Sequence, residues 1–161
     1  MTRLPTISRI LASGLIASGC HHPTPPALTA TGMAALRDTL VALDSTMNYA
    51  VDNLDCTKGL SYVGDERPLF VSGGHVVETH EQLLKTCRDI VAPRTGAQYV
   101  PRSVTAHMLS PDAGYVVKDG EYIVQLRNGE TRKEHLAMTT IWARQGGSWK
   151  MVHLHESAIP R

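Results

Sequence analysis

The sequence lacks an excess of charge of either sign. Its 161 residues include 16 lysines and arginines against 15 aspartates and glutamates, a formal net charge of +1. Without residues 1–19, which contain Arg3 and Arg9, 14 basic and 15 acidic residues remain. A nucleic-acid-binding domain normally carries a basic patch that neutralises phosphates. We therefore expect no nucleic-acid partner.

Signatures of several reaction classes are also missing. No Ser-His-Asp arrangement, phosphate loop or nucleotide fingerprint is visible in the sequence. Hydrolase and nucleotide-dependent functions therefore have no support, and we expect no cofactor.

No apolar run is long enough to span a membrane, and the run near the N-terminus has the layout of an export signal. Arg3 and Arg9 precede the uncharged residues 10–16, and small residues follow before Cys20. A spanning helix needs about 20 apolar residues, so residues 1–19 are predicted to be a secretory signal peptide. The Ile-Ala-Ser-Gly before Cys20 resembles the bacterial lipobox, in which the cysteine is lipidated. The alternative is an ordinary cleaved signal with an incidental cysteine.

The residues after Cys20 indicate a tether. Residues 21–32 are rich in proline and threonine and show no periodicity, as in an extended linker. A lipidated Cys20 would hold the domain that follows, residues 33–161, at a membrane surface. His21 is not acidic, which in bacterial lipoproteins favours the outer membrane. We expect an exported lipoprotein, anchored in the outer membrane and facing the periplasm.

Cysteine is scarce in the remaining domain. Cys56 and Cys87 form an even pair in a compartment that we expect to be oxidising. They are either bridged or two buried thiols, because the sequence does not give the distance between their Cα atoms.

Metal-ligating patterns are scarce as well. His21 and His22 lie in the predicted tether, and His153 and His155 share one face of a predicted strand without a third ligand. We expect no metal site.

Periodicity predicts helices first and strands after them. Apolar residues recur at helical spacing from Leu36 to Met47, which indicates a long amphipathic helix. Thr79 and Gln82 have the spacing of a capping box, which predicts the start of a later helix. The predicted elements are helices 33–50 and 51–56, strands 60–63 and 68–71, helix 79–91, and strands 99–109, 114–127, 131–144 and 149–157.

Glycines give further detail within the strands. Asp119-Gly120 predicts a β-bulge inside one long strand, or otherwise a turn. Gly146-Gly147 supplies the positive φ angles of a tight hairpin, so the last strand should pair with residues 138–143.

Both faces of the last strand carry apolar residues. We therefore expect helices to cover one face of the sheet and a second copy of the chain to cover the other. Strict alternation places Val152, Leu154 and Glu156 on the inner face. It places four residues on the outer face: Trp149, Met151, His153 and His155.

The end of the chain resembles a known superfamily. Residues 140–144, the Gly-Gly-Ser-Trp after them and residues 152–157 are similar to the nuclear transport factor 2-like superfamily, specifically to SnoaL-like proteins and the association domain of calcium/calmodulin-dependent kinase II. Residues 69–77 and Asp112-Ala113 give weaker support. The resemblance implies an α+β fold, a cone-shaped, curved antiparallel sheet wrapped on the long N-terminal helix, as in a cystatin-like roll.

The resemblance implies a conical pocket but no particular activity, because this superfamily includes enzymes, binding domains and oligomerisation domains. Glu156 and Thr140 stand where the kinase association domain carries arginines, so the resemblance favours a polar or cationic ligand over a carboxylate. The alternative is that Glu156 lies in water near the strand end or pairs with an arginine such as Arg102 or Arg144. The residues that we expect to line the pocket are Tyr62, Tyr115, Thr140, Trp142, Leu154 and Glu156.

Three functions remain open. The leading prediction is a tethered domain that binds a small, partly apolar ligand and dimerises through the outer face of its sheet. The second is a lyase or isomerase with Glu156, Asp55 or a histidine as general base and a tyrosine as hydrogen-bond donor. The third is a structural adaptor whose cone is filled by side chains. We favour non-catalytic binding because no complete catalytic set is visible.

Overall fold

The computed structural model describes residues 29–64 and 68–160. The predicted signal peptide, the predicted lipidation site Cys20 and the first part of the tether lie outside the described residues. No helix within these two ranges is both long enough and apolar enough to cross a membrane. The elements are α1 (Ala30–Asp52), α2 (Cys56–Leu60), β1 (Leu69–Ser72), β2 (His75–Val77), α3 (His80–Val91), β3 (Arg94–Ser110), β4 (Ala113–Leu126), β5 (Thr131–Gln145) and β6 (Ser148–Pro160).

The long N-terminal helix begins earlier than its apolar periodicity indicated. The side chain of Thr29 accepts a hydrogen bond from the backbone N–H of Gly32 at 3.1 Å, which caps the first turn. Residues 30–32, assigned to the tether from composition, are therefore helical. The later helix also starts as expected, since Thr79 accepts a hydrogen bond from the backbone N–H of Gln82.

The region after α1 differs from the prediction. Asp55 caps α2 by accepting a hydrogen bond from the backbone N–H of Lys58 at 2.9 Å, so this helix begins at Cys56, and it ends at Leu60. The predicted helix 51–56 and strand 60–63 are therefore wrong. Val63 forms only an isolated parallel bridge with Met151.

Cys56 and Cys87 are bridged. The disulfide joins the start of α2 to α3, with 5.9 Å between the two Cα atoms. Of the two alternatives open from the sequence, the disulfide is the one in the structure.

The strands form one open six-stranded sheet in the order β2-β1-β6-β5-β4-β3. The expected α+β architecture is confirmed, and the sheet curves without closing. One pairing departs from the antiparallel expectation, because β1 runs parallel to β6. The predicted hairpin is also present: Gln145 pairs with Ser148, and both intervening glycines have positive φ angles of 57° and 83°.

Two of the register shifts between the described long strands bear on the predictions. β4 is one continuous strand through Gly120, but the extra residue is Arg102 on the neighbouring β3, between Pro101 and Ser103. The bulge predicted at Asp119-Gly120 therefore lies on the partner strand, next to a proline that lacks an N–H for the ladder.

The second irregularity inverts part of the predicted alternation of β6. Ile141 pairs with His153 and Trp142 pairs with Met151, which leaves Val152 as the extra residue. Met151 consequently turns inward and is 1% exposed, and Trp149 packs against the core. The outward placement of these two residues was wrong, because strict alternation does not survive a bulge. The inward placement of Leu154 and Glu156 holds.

Candidate functional site

A cavity of about 250 Å³ lies between the helices and the inner face of the sheet. Its wall is largely apolar, with Met47 from α1, Leu83 from α3, Met138 from β5, and Met151 and Leu154 from β6. Ligand pockets typically span about 300 to 1,000 Å³. The size therefore suits a molecule smaller than a typical drug.

One side of the cavity carries a cluster of polar side chains from β3, β4 and the end of α1. Arg94 Nη1 donates a hydrogen bond to the Tyr122 hydroxyl at 2.8 Å, and Asp52 Oδ2 accepts one from the backbone N–H of Tyr99 at 3.2 Å. Glu134 stands beside Tyr122 on the next strand. These groups form a hydrogen-bonding site at this side of the wall.

Burial raises the pKa values of two members of this polar cluster. Desolvation raises the pKa of Asp52, although hydrogen bonds from Tyr99 and Tyr122 and the charges of Lys118 and Arg94 act in the opposite direction. Burial also raises the pKa of Tyr122 to about 12. At neutral pH the tyrosine is therefore a neutral hydroxyl next to a carboxyl whose proton affinity is increased.

Tyr99 adds a second protonated hydroxyl to the same side. Its oxygen is buried and has no hydrogen-bond partner among the described residues. Burial, followed by the nearby Asp119 and Asp44, raises its pKa to about 12. The ring lies against Gly120, where a Cβ would come within 2.9 Å of the tyrosine oxygen. The glycine in the middle of β4 therefore makes room for this ring.

The other side of the cavity carries Glu156. Ser72 at the end of β1 donates a hydrogen bond to its Oε1. The parallel pairing of Val71 with His155 brings the two strands together there. A half-buried carboxylate therefore faces an otherwise apolar part of the wall.

A buried polar network lies next to the cavity. Asp44 Oδ2 and Lys118 Nζ form an ion pair at 2.7 Å. Asp44 Oδ1 accepts a hydrogen bond from the Thr140 hydroxyl at 2.7 Å, which in turn accepts one from Trp142 Nε1 at 3.0 Å. Asn48 Nδ2 donates to Asp44 at 3.0 Å. Each charge is thus paired, and the network links α1 to β4 and β5.

The predicted pocket residues separate into two groups. Leu154 and Glu156 line the cavity. Thr140 and Trp142 do not line it; both are fully buried and hydrogen-bonded to each other in the polar network. Tyr62 follows α2 and packs against the core, and Tyr115 stacks on His107 with 5.0 Å between ring centroids.

The other sequence candidates have structural positions. Asp55 caps α2 and is not among the cavity residues. His153 pairs with Ile141, and His155 pairs with Thr139. Both histidines therefore lie on the outer face of the sheet, opposite the buried Thr140. In the described ranges, no three His, Cys, Asp or Glu side chains converge closely enough to hold a metal ion.

Sequence reasoning missed Asp44, Asp52, Lys118 and Tyr99. A signal for Asp44 was present: it lies four residues after Leu40 and three before Met47, on the apolar stripe of α1. A signal for Lys118 was its alternation with the buried Val116 on β4. The inward facing of Tyr99 depends on the bulge at Arg102 on β3, which composition does not reveal.

Comparisons with known proteins agree with this architecture. The SnoaL-like domain family model matches residues 41–161, whereas no curated protein sequence matches the chain. A nuclear transport factor 2-like superfamily protein from Salmonella enterica serovar Typhimurium superimposes with a TM-score of 0.71 at 16% identity, covering 80% of this chain and 94% of that one.

Two further solved structures show how varied the similar proteins are. A type 3 hexachlorocyclohexane dehydrochlorinase from Novosphingobium barchaimii has a TM-score of 0.69 at 17% identity, covering 83% of this chain and 94% of that one. The association domain of calcium/calmodulin-dependent kinase II from Caenorhabditis elegans has a TM-score of 0.62 at 19% identity, covering 78% and 97%. At these identities the likeness concerns the fold alone.

Proposed function

Because the chain belongs to the SnoaL-like family of the nuclear transport factor 2-like superfamily, we propose that its domain binds a small, partly apolar molecule in the cavity. The observation that carries this proposal is the wall itself. Apolar side chains such as Met138 and Leu154 form most of it, and polar groups stand on two sides, Glu156 on one and Tyr122 with Arg94 on the other. Such a wall holds an apolar body and orients it through a few polar contacts.

The proposal extends to a homodimer formed through the outer face of the sheet. Val117 is 42% exposed there, and its neighbours on paired strands include Thr139. A sheet face with exposed β-branched residues is suited to contact the same face of a second copy. The similar kinase domain is named for association, which supports the same reading for this chain.

We also propose that the domain works outside the cytoplasm, held to a membrane by a lipid on Cys20. The support is the charged, apolar and small-residue order of residues 1–20. Expression of the full chain in a Gram-negative host tests it. Wild type should incorporate labelled palmitate and fractionate with the outer membrane, whereas Cys20→Ser should do neither. Equal fractionation of the two proteins contradicts the anchor.

Native mass spectrometry of the full chain, released from detergent micelles, tests binding and assembly together. We expect the mass of two chains with a retained small molecule. A single chain with nothing bound contradicts both proposals. The same experiment addresses the adaptor alternative, which requires a cone filled by side chains, because the cavity of about 250 Å³ is slightly below the usual ligand-pocket range of about 300 to 1,000 Å³.

A lyase or isomerase is the second candidate, and one observation favours it. Asp52 is a half-buried carboxyl with a raised pKa, and the hydroxyl of Tyr122 lies next to it in the cavity. A carboxylate with increased proton affinity is a better general base, and a neutral tyrosine can donate to developing negative charge. Asp52 takes the place of the sequence candidate Asp55, which caps α2.

Turnover measurements distinguish this candidate from simple binding. A panel of β-substituted carbonyl compounds, from which abstraction of an α-proton causes elimination, should reveal a substrate. Asp52→Asn should then lower kcat by at least about a hundredfold, while retaining ligand binding in the cavity. Turnover that is unchanged in Asp52→Asn removes this residue as the base.

A further inference from the structure

Glu156 places on the cavity wall a carboxylate that has no basic partner in the part of the chain that the structure describes. Ser72 donates a hydrogen bond to it. Across residues 29–64 and 68–160, no lysine, arginine or histidine forms an ion pair with it. The basic side chain on the described wall is Arg94, and it donates a hydrogen bond to the hydroxyl of Tyr122 on the other side of the cavity.

The described ionisable groups of the cavity wall carry, like Glu156, an excess of negative charge. Its described ionisable carboxyl groups are those of Asp52, Glu134 and Glu156, against the single guanidinium of Arg94. Arg94 also acts electrostatically on Asp52, so the basic charge of the wall is concentrated away from Glu156. The β6 side of the cavity is therefore the side where no described basic side chain matches the negative charge.

The apolar surroundings of Glu156 favour the binding of a cation beside its carboxylate. It stands opposite Met138 on the neighbouring strand, and Leu154 lies two residues before it on the same face. An ionised carboxylate among apolar side chains is costly unless a charge or several hydrogen bonds compensate it. Ser72 donates to Oε1, and among the described residues no hydrogen-bond donor contacts Oε2, which a ligand can therefore use.

We propose that the molecule bound in this cavity is a small protonated amine with an apolar body, and that Glu156 recognises its ammonium group. This inference rests on the proposed binding function, since it names the class of molecule that the cavity takes. The apolar body would pack on Met138, Met151 and Leu154. A carboxylate ligand is disfavoured, because it would place a second anion beside Glu156.

Three probes of equal chain length test the proposal: hexylamine, hexan-1-ol and hexanoate. Each is titrated calorimetrically at pH 7 into the full chain in detergent, with a titration into detergent alone subtracted. A hydrogen-bonded charge pair is stronger than its neutral equivalent by about one power of ten in affinity. Hexylamine should therefore bind about tenfold more tightly than hexan-1-ol, and hexanoate should bind most weakly.

Variants assign the preference to one residue. Glu156→Gln should reduce the ratio of hexylamine to hexan-1-ol affinity from about ten to near one, with hexan-1-ol still bound. The matched control, Glu81→Gln, removes a carboxylate from the first turn of α3 outside the cavity and should keep the tenfold ratio. Loss of the ratio in Glu134→Gln, with retention in Glu156→Gln, would overturn the assignment to Glu156.

The outcomes separate this inference from the proposed function. Equal binding of hexylamine and hexan-1-ol to the wild-type chain overturns amine recognition and leaves binding of apolar molecules standing. Binding of none of the three probes overturns both. If Glu156→Gln fails to bind hexan-1-ol, its cavity is not intact, and the wild-type ratio alone decides.

Discussion

Lys118 and Asp44 form an ion pair at 2.7 Å in the interior, with side chains only 4% and 2% exposed. The pair joins the middle of α1 to the middle of β4, directly beside the cavity. Thr140 and Asn48 supply further hydrogen bonds to the carboxylate. Two charges are tolerated here because the geometry pairs them and satisfies the remaining oxygen sites.

Removal of one partner from this pair should be strongly destabilising. Lys118→Met leaves Asp44 as a buried charge without its cation, so the free energy of unfolding should fall by about 3 to 5 kcal/mol. Urea denaturation measures the change. Lys85→Met is the matched control, because Lys85 pairs with Asp89 at 2.6 Å on the surface of α3, with 77% of its side chain exposed. That variant should lose less than about 1 kcal/mol, and equal losses would contradict the importance of burial.

The disulfide should contribute a second large share of stability. Cys56 and Cys87 are 31 residues apart. A bridge that closes a loop of that length lowers the conformational entropy of the unfolded chain, which raises the free energy of unfolding by about 3 to 4 kcal/mol. The double variant Cys56→Ser/Cys87→Ser should lose that amount in urea denaturation. Dithiothreitol should lower the stability of the wild type towards that of the variant and leave the variant unchanged. A response of the variant to the reductant would point to another cause.

Local sequence signals account for most of the fold. The apolar stripe of α1, the Thr79 cap and the Gly146-Gly147 hairpin depend on neighbouring residues, and the structure contains all three. The parallel pairing of β1 with β6 was not predictable in this way, because it joins segments far apart in sequence. Register shifts are equally hard to predict from local sequence. The single extra residue Val152 reversed the predicted facing of Met151.

The site was less predictable than the fold for a related reason. Glu156 and Leu154 follow the bulge on β6, so their inward facing could be inferred from the end of the strand. Thr140 and Trp142 do face inward, but they do not reach the cavity. Thr140 donates a hydrogen bond to the carboxylate of Asp44, which is paired with Lys118, and Trp142 donates one to Thr140. Burial of a charged pair depends on two distant elements meeting, and no local pattern encodes it.

The two cavity tyrosines should respond differently to loss of their hydroxyl groups. Tyr99 has a buried oxygen without a partner in the described chain, so Tyr99→Phe should leave the free energy of unfolding unchanged or raise it by about 1 kcal/mol. Tyr122 accepts a hydrogen bond from Arg94 at 2.8 Å. Tyr122→Phe should therefore cost about 1 to 2 kcal/mol. Urea denaturation of both variants measures the contrast, and a larger loss in Tyr99→Phe would show that its hydroxyl is paired.

The proposed dimer should depend on the outer face of the sheet. Val117→Glu introduces a charge at an apolar position that is 42% exposed in the single chain. Burial of an unpaired charge in an interface is costly, so light scattering should show the mass of one chain where the wild type shows two. Tyr49→Lys is the control, because Tyr49 is 69% exposed on α1, away from that face. A monomer in the control and a dimer in Val117→Glu would move the interface to the helix.

Asp52 should give the stability of the domain a defined dependence on pH. Burial raises its pKa above the ordinary 3.8, so the folded domain holds this proton more tightly than the unfolded chain does. Below pH 3.8 both states carry the proton, and the contribution of this group to stability is fully present. As the pH rises through the raised pKa, the unfolded chain has already released its proton, and that contribution is lost.

Asp52→Asn removes this titration while keeping an oxygen that can accept the hydrogen bond from the Tyr99 backbone. The free energy of unfolding of the variant, relative to wild type, should therefore rise as the pH increases from 3 to 8. Urea denaturation across that range measures it, and Asp38→Asn, an exposed change on the same helix, corrects for the altered net charge. In parallel, the carboxyl carbon of Asp52 should titrate above pH 3.8 in an NMR experiment. Parallel stability curves for wild type and Asp52→Asn would show that this carboxyl is not desolvated, which would also remove the basis for its role as a general base.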